Sequence, residues 1–155
     1  MKSIIGDDKM KKLVLFVCLL MLCGCGSKTM KCESTSKQEK YTINSSYTVH
    51  SGGGIVKKVE SVETVESKDE EFLKTVEDNF NKQYKYNSET YGGYDYKVTN
   101  KDGKVVSTVT INYKKMDLEK FIKDNQAMKS YANDKNKITL DGLKKMYESM
   151  GAKCE

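Results

Sequence analysis

Apolar and polar residues alternate with period two from Tyr41 to His50. Tyr41, Ile43, Tyr47 and Val49 share one side; Thr42, Asn44, Thr48 and His50 share the other. That period predicts a half-buried strand. Ser51 to Gly54 reads as a turn, and Ile55 to Glu66 as the return strand of a hairpin. In the return strand the apolar positions Ile55, Val59, Val62 and Val65 slip phase once, which predicts a β-bulge. Ahead of the hairpin, Lys28 to Ser36 is a short polar strand carrying Cys32.

The period then changes to that of a helix. Ser67-Lys68-Asp69-Glu70 fits a capping box, with Ser67 as the cap. Phe72, Leu73, Val76, Phe80 and Tyr84 follow on one helical face, and Gly92-Gly93 breaks the run. Tyr94, Tyr96 and Val98 alternate as a strand, Asn100 to Gly103 turns, and Val105 to Tyr113 is rich in β-branched residues. A short helix starting near Asp117 would bury Leu118, Phe121 and Ile122. After a polar loop, Thr139 can cap a last helix with Leu140, Leu143, Met146, Tyr147 and Met150 on its inner side. Gly151 would end it in a left-handed conformation, and Ala152 to Cys154 would extend back toward Cys32. Strands, helix, strands, helices is the order of an α+β domain: an antiparallel β-sheet with helices packed on one face.

The first residues follow a different pattern. Lys11-Lys12 precedes an unbroken apolar run, Leu13 to Leu22, and Gly24-Cys25 closes it. Ten apolar residues fall well short of the roughly 20 that cross a bilayer as a helix. They suit the h-region of a secretory signal peptide with a small-residue cleavage site. Leu22-Cys23-Gly24-Cys25 resembles a bacterial lipobox, and that resemblance implies a diacylglyceryl lipid on the Cys25 sulfur and removal of residues 1–24. Cys23 is not the modified residue, because Leu22 before it is too large. Met10 is an alternative start to Met1, since Met-Lys-Lys followed by the apolar run is already a compact signal peptide. Residues 25–30 would form a lipidated tether and 31–155 a single α+β domain. Extended at 3.3–3.6 Å per residue, Gly26 to Lys31 and the closing bond would reach roughly 23–25 Å. The expected location is the extracytoplasmic face of the cell membrane.

Charge narrows the partners. The chain has 27 basic and 22 acidic residues, all the basic ones are lysine, and the two signs are interspersed. This describes a solvated surface and not a nucleic-acid patch. With Cys18 and Cys23 in the signal segment and Cys25 carrying lipid, Cys32 and Cys154 remain, one near each end of the domain. An even pair in an exported protein reads as a disulfide. Closing so long a loop would stabilise the fold by roughly 4–5 kcal/mol on a chain-entropy account. Two separate thiols are an alternative. A metal shared with His50 is another, although it lacks a fourth ligand and any short ligand spacing.

Thr29-Met30-Lys31-Cys32, Ile55-Val56-Lys57-Lys58, Ile111 to Leu118 and the closing Gly151-Ala152-Lys153-Cys154 together resemble the YehR-like family of small bacterial lipoproteins. The likeness runs over nearly the whole chain from Met10. It departs at Gly52-Gly53-Gly54, where the family places lysine and aspartate. The resemblance implies an α+β fold and a lipid anchor; it brings no catalytic residues.

The residues themselves point away from an enzyme. His50 is the only histidine, no serine or cysteine is paired in sequence with a base, and the glycine turn lacks the lysine-serine ending of a P-loop. No cofactor is expected besides the lipid on Cys25. One cluster suggests binding: Tyr84, Tyr86, Tyr91, Tyr94 and Tyr96 lie around the Gly92-Gly93 break. Tyr84, Tyr94 and Tyr96 fit core positions, which leaves Tyr86 and Tyr91 as the candidate contact residues. The function expected is therefore non-enzymatic binding of a protein, peptide or glycan near the membrane. The alternative is a structural or accessory envelope lipoprotein with no small-molecule ligand.

Overall fold

A computed structural model describes residues 26–155. The lipobox, with Cys18, Cys23 and Cys25, lies outside the described residues. The alternating segments form strands β1 (Ser27–Lys37), β2 (Tyr41–Gly52) and β3 (Ile55–Ser67), followed by helix α1 (Glu70–Tyr91). Strands β4 (Tyr94–Lys101) and β5 (Lys104–Asn112) come next, then α2 (Leu118–Asp124), a 3-10 turn (Gln126–Tyr131), α3 (Leu140–Ser149) and a short β6 (Lys153–Cys154). The sheet order is β4-β5-β3-β2-β1-β6, and every neighbouring pair is antiparallel. The architecture is α+β, as the pattern predicts.

Strand β1 starts within one residue of the expected Lys28, and the domain boundary expected at residue 31 moves back with it. Ser27 already pairs with Gly52, and Met30 with Val49. Residues 28–30, read as strand but left outside the domain by its boundary at residue 31, are part of the sheet with Ser27, and Met30 is buried. The cause is Met30: its side chain falls on the same face as Cys32 and adds apolar area to the core.

The bulge lies at one place. His50 pairs with Lys58 and Ser51 with Val56, so Lys57 is the extra residue. Beyond it Val59, Ser61, Glu63 and Val65 share the inner face. Val62, expected to be apolar core, points to the other side and is 44% exposed. The pairs Val59–Val49 and Val65–Ile43 hold this register, because both put apolar side chains together.

Helix α1 begins two residues later than the capping box suggests. The Asp69 carboxylate accepts from the Phe72 N–H at 2.9 Å, making Asp69 the N-cap. Ser67 instead ends β3, where its hydroxyl donates to the Lys40 carbonyl and accepts from the Asp69 N–H. At the other end, Gly93 takes a φ of +73° with the Asn112 carbonyl 2.6 Å from where a Cβ would sit. Only glycine allows that approach.

Helix α3 is capped by the Thr139 hydroxyl, which accepts from Gly142 N–H at 3.0 Å. It closes in a Schellman motif: Gly151 N–H donates to Glu148 and Ala152 N–H to Tyr147, with Gly151 at φ +88°. Met150, expected on the inner side, is the C-cap and is 64% exposed, because the chain leaves the helix there.

All helices lie over one face of the sheet. Two apolar clusters form beneath them. The larger joins Met30, Cys32, Val49, Val56 and Val59 to Ile122, Ile138, Leu143 and Tyr147. The smaller joins Val65, Leu73 and Val105, with Phe72, Val76 and Phe80 packed against it.

Candidate functional site

Between the two clusters runs a row of polar side chains across the covered face. The register places Ser34 opposite Ser45, Ser45 opposite Glu63, and Glu63 opposite Ser107. Ser45 and Ser107 are buried. Tyr84 from α1 reaches down so that its phenol lies 3.3 Å from the Ser107 hydroxyl. Burial raises Tyr84 and Tyr47 above the ordinary tyrosine range, and the Glu63 carboxylate pushes both further up. The phenols are therefore neutral at physiological pH.

Glu63 is the unusual member. It forms no ion pair among the described residues. Burial raises its carboxyl above the ordinary glutamate value. No fully buried polar side-chain atom goes unpaired among the described residues, so the carboxylate oxygens must reach solvent. Glu63 lines a groove of about 220 Å³ between α1 and strands β2 and β3, together with Tyr41, Ile43, Val65, Phe72, Val76 and Phe80. Tyr41 and Phe72, both in its wall, stack with ring centroids 5.1 Å apart. A wider opening of about 720 Å³ adjoins at Tyr41, but it is lined by charges of both signs, among them Glu39, Lys40, Lys68 and Asp102. That composition favours water over any one ligand.

Sequence reasoning missed Glu63, because the period through Val59 and Val62 put it outside the core. The signal was parity with Val65: two residues apart in a strand is the same face.

The tyrosines expected to bind separate sharply. Tyr86 is 58% exposed, but Tyr91 is only 5% exposed. Tyr91 is the last residue of α1 and packs edge-on against Phe121 of α2, with its hydroxyl donating to Asp124 at 3.3 Å. It is therefore not a surface contact residue; it supports Tyr86, whose ring meets it edge-on at 6.3 Å. Tyr94, taken as core, is pushed up to about 12 by burial. Tyr47 and Tyr147 stack at 4.2 Å and tie the sheet to α3.

Cys32 and Cys154 form a disulfide, with Cα atoms 4.1 Å apart. Lys31 and Glu155 exchange both backbone hydrogen bonds at 2.9 Å, so the cysteines beside them are a non-hydrogen-bonded antiparallel pair. Such pairs bring Cα atoms to about 4.5 Å. His50 lies on the opposite face of the sheet from Cys32, since it shares the side of Thr29 and not of Val49. It sits 2.8 Å from Glu60, whose carboxyl is held below the ordinary range first by Lys58 and then by His50. These positions give His50 a surface hydrogen bond to Glu60 and no access to the cysteines.

No family model matches the chain, and no curated protein matches it. Two solved structures share its fold. The NMR structure of the E. coli YehR protein aligns at a TM-score of 0.55 and 19% identity, over 83% of this chain and 92% of that one. The NMR structure of a protein from Streptococcus pneumoniae TIGR4 aligns at 0.51 and 7% identity, over 85% and 87%. The chain thus has a YehR-like fold.

Proposed function

We propose that this chain is a non-enzymatic bacterial lipoprotein, anchored through a diacylglyceryl group on Cys25 to the extracytoplasmic face of the membrane, where it binds a small ligand or a segment of a peptide or glycan. The observation that carries the reading is the apolar run ending in Gly24-Cys25, only two residues before the first paired strand residue, Ser27. The Cys32–Cys154 disulfide supports export, because such bonds persist in oxidising compartments.

The late start expected for the domain would have left it swinging on a tether. With Ser27 in the sheet, a lipid on Cys25 holds the Gly52–Gly54 end of the sheet at the bilayer. Ile43, in the groove wall, pairs with Ser36, nine positions along β1 from Ser27. At about 3.3 Å per residue the groove lies up to roughly 30 Å along the sheet from the anchored end. A half-buried acid in an apolar groove favours a binding role over a purely structural one.

Expression of a Cys25→Ser variant in a lipoprotein-processing bacterium tests the anchor. Wild type should fractionate with membranes as a processed chain, and the variant should accumulate unprocessed. Identical processing of both would remove the lipobox reading.

A further inference from the structure

We propose that the groove beneath α1 takes a small organic ammonium ion, with Glu63 as its counter-ion. This deepens the binding reading given above and rests on it, but needs nothing from the lipid anchor.

The argument starts from the cost of the residue in place. An ionised carboxylate among apolar walls loses hydration and, without a cationic partner, recovers little of it. The chain carries 27 basic residues, yet no ion pair among the described residues reaches Glu63. The groove wall contributes no lysine at all. Its charge is therefore open to a cation from outside.

The walls specify the rest of the ligand. Ile43, Val65 and Val76 offer contact to an alkyl stem, and Phe72 and Phe80 add aromatic surface to the wall. Asn79 at the rim adds one neutral polar group. A volume of about 220 Å³ lies below that of drug-sized sites, so the occupant is a short chain or a single side-chain-sized group. A neutral alcohol would fill the walls but leave the carboxylate uncompensated. An anion would be repelled. A primary ammonium on a short alkyl stem satisfies both.

The test is a methyl NMR titration of the mature full-length chain in zwitterionic nanodiscs, with n-butylammonium, n-butanol and butyrate as matched probes. The expected result is saturable shifts of the Ile43, Val65 and Val76 methyls with butylammonium. Butanol should be at least about tenfold weaker and butyrate inactive, and in Glu63→Gln the amine should fall to the level of the alcohol. Equal responses to amine and alcohol overturn the proposal, as does an undiminished amine response in Glu63→Gln. The wild-type comparison decides the matter even if the variant does not fold. Silence from all three probes in a protein that is membrane-anchored rejects this ligand class while leaving the anchored reading intact.

Discussion

Breaking the Cys32–Cys154 bond should cost as much stability as the largest single core truncations. The bond spans 122 residues of sequence, nearly the whole described domain. On a chain-entropy account a closed loop of that length restricts the unfolded chain by about 5 kcal/mol at 25 °C. For a domain of this size each kcal/mol moves the thermal midpoint by about 3–4 °C, so the loss should appear as roughly 15–20 °C. The local effect follows from the pairing. Without the bond, β6 is held by two residues of strand pairing and the reciprocal Lys31–Glu155 hydrogen bonds. It should open before the rest of the sheet. Equilibrium denaturation in guanidinium, with and without reductant, reads the global term. Hydrogen exchange at Lys153 and Glu155 reads the local one. A Cys32→Ala/Cys154→Ala variant adds a packing loss, since Cys32 is fully buried. A change below about 1 kcal/mol on reduction, with β6 still protected, would refute the reasoning.

Leu73→Ala should destabilise by about 2–5 kcal/mol and by more than Phe80→Ala, because Leu73 is 1% exposed whereas Phe80 is only partly buried; paired urea midpoints check the order. Glu63→Gln should raise the thermal midpoint at neutral pH but not in acid. The raised Glu63 carboxyl favours folding only while protonated, so its contribution is full below the ordinary value of 4.5 and is lost as pH rises through the folded value. Midpoints that differ by the same amount at pH 3.5 and pH 7 would contradict that sign.

Most elements were legible because their signals are local. Alternation placed β2, helical spacing placed α1, and Thr139 with Gly151 bounded α3. The disulfide followed from counting cysteines against an N-terminus read as a signal peptide. What escaped depended on pairing across the sheet. The bulge at Lys57 resets which side each later residue of β3 faces, and this turned Val62 outward and Glu63 inward. Met30 lies in the strand that was read, but its burial depends on Val49 opposite it. Ser67 yielded the cap to Asp69 because its hydroxyl was taken by Lys40, 27 residues away. Tyr91 is buried by Phe121, which arrives only when α2 docks. The groove, being a meeting of α1 with β2 and β3, could not be read from any one segment.

The measurement that tests the account most directly is the intact mass of the protein extracted from membranes of its expressing cells. The account predicts a chain beginning at Cys25, heavier by a diacylglyceryl group, with Cys32 and Cys154 oxidised. A soluble chain that retains Cys18 and Cys23, or a membrane form with unmodified Cys25, would contradict it.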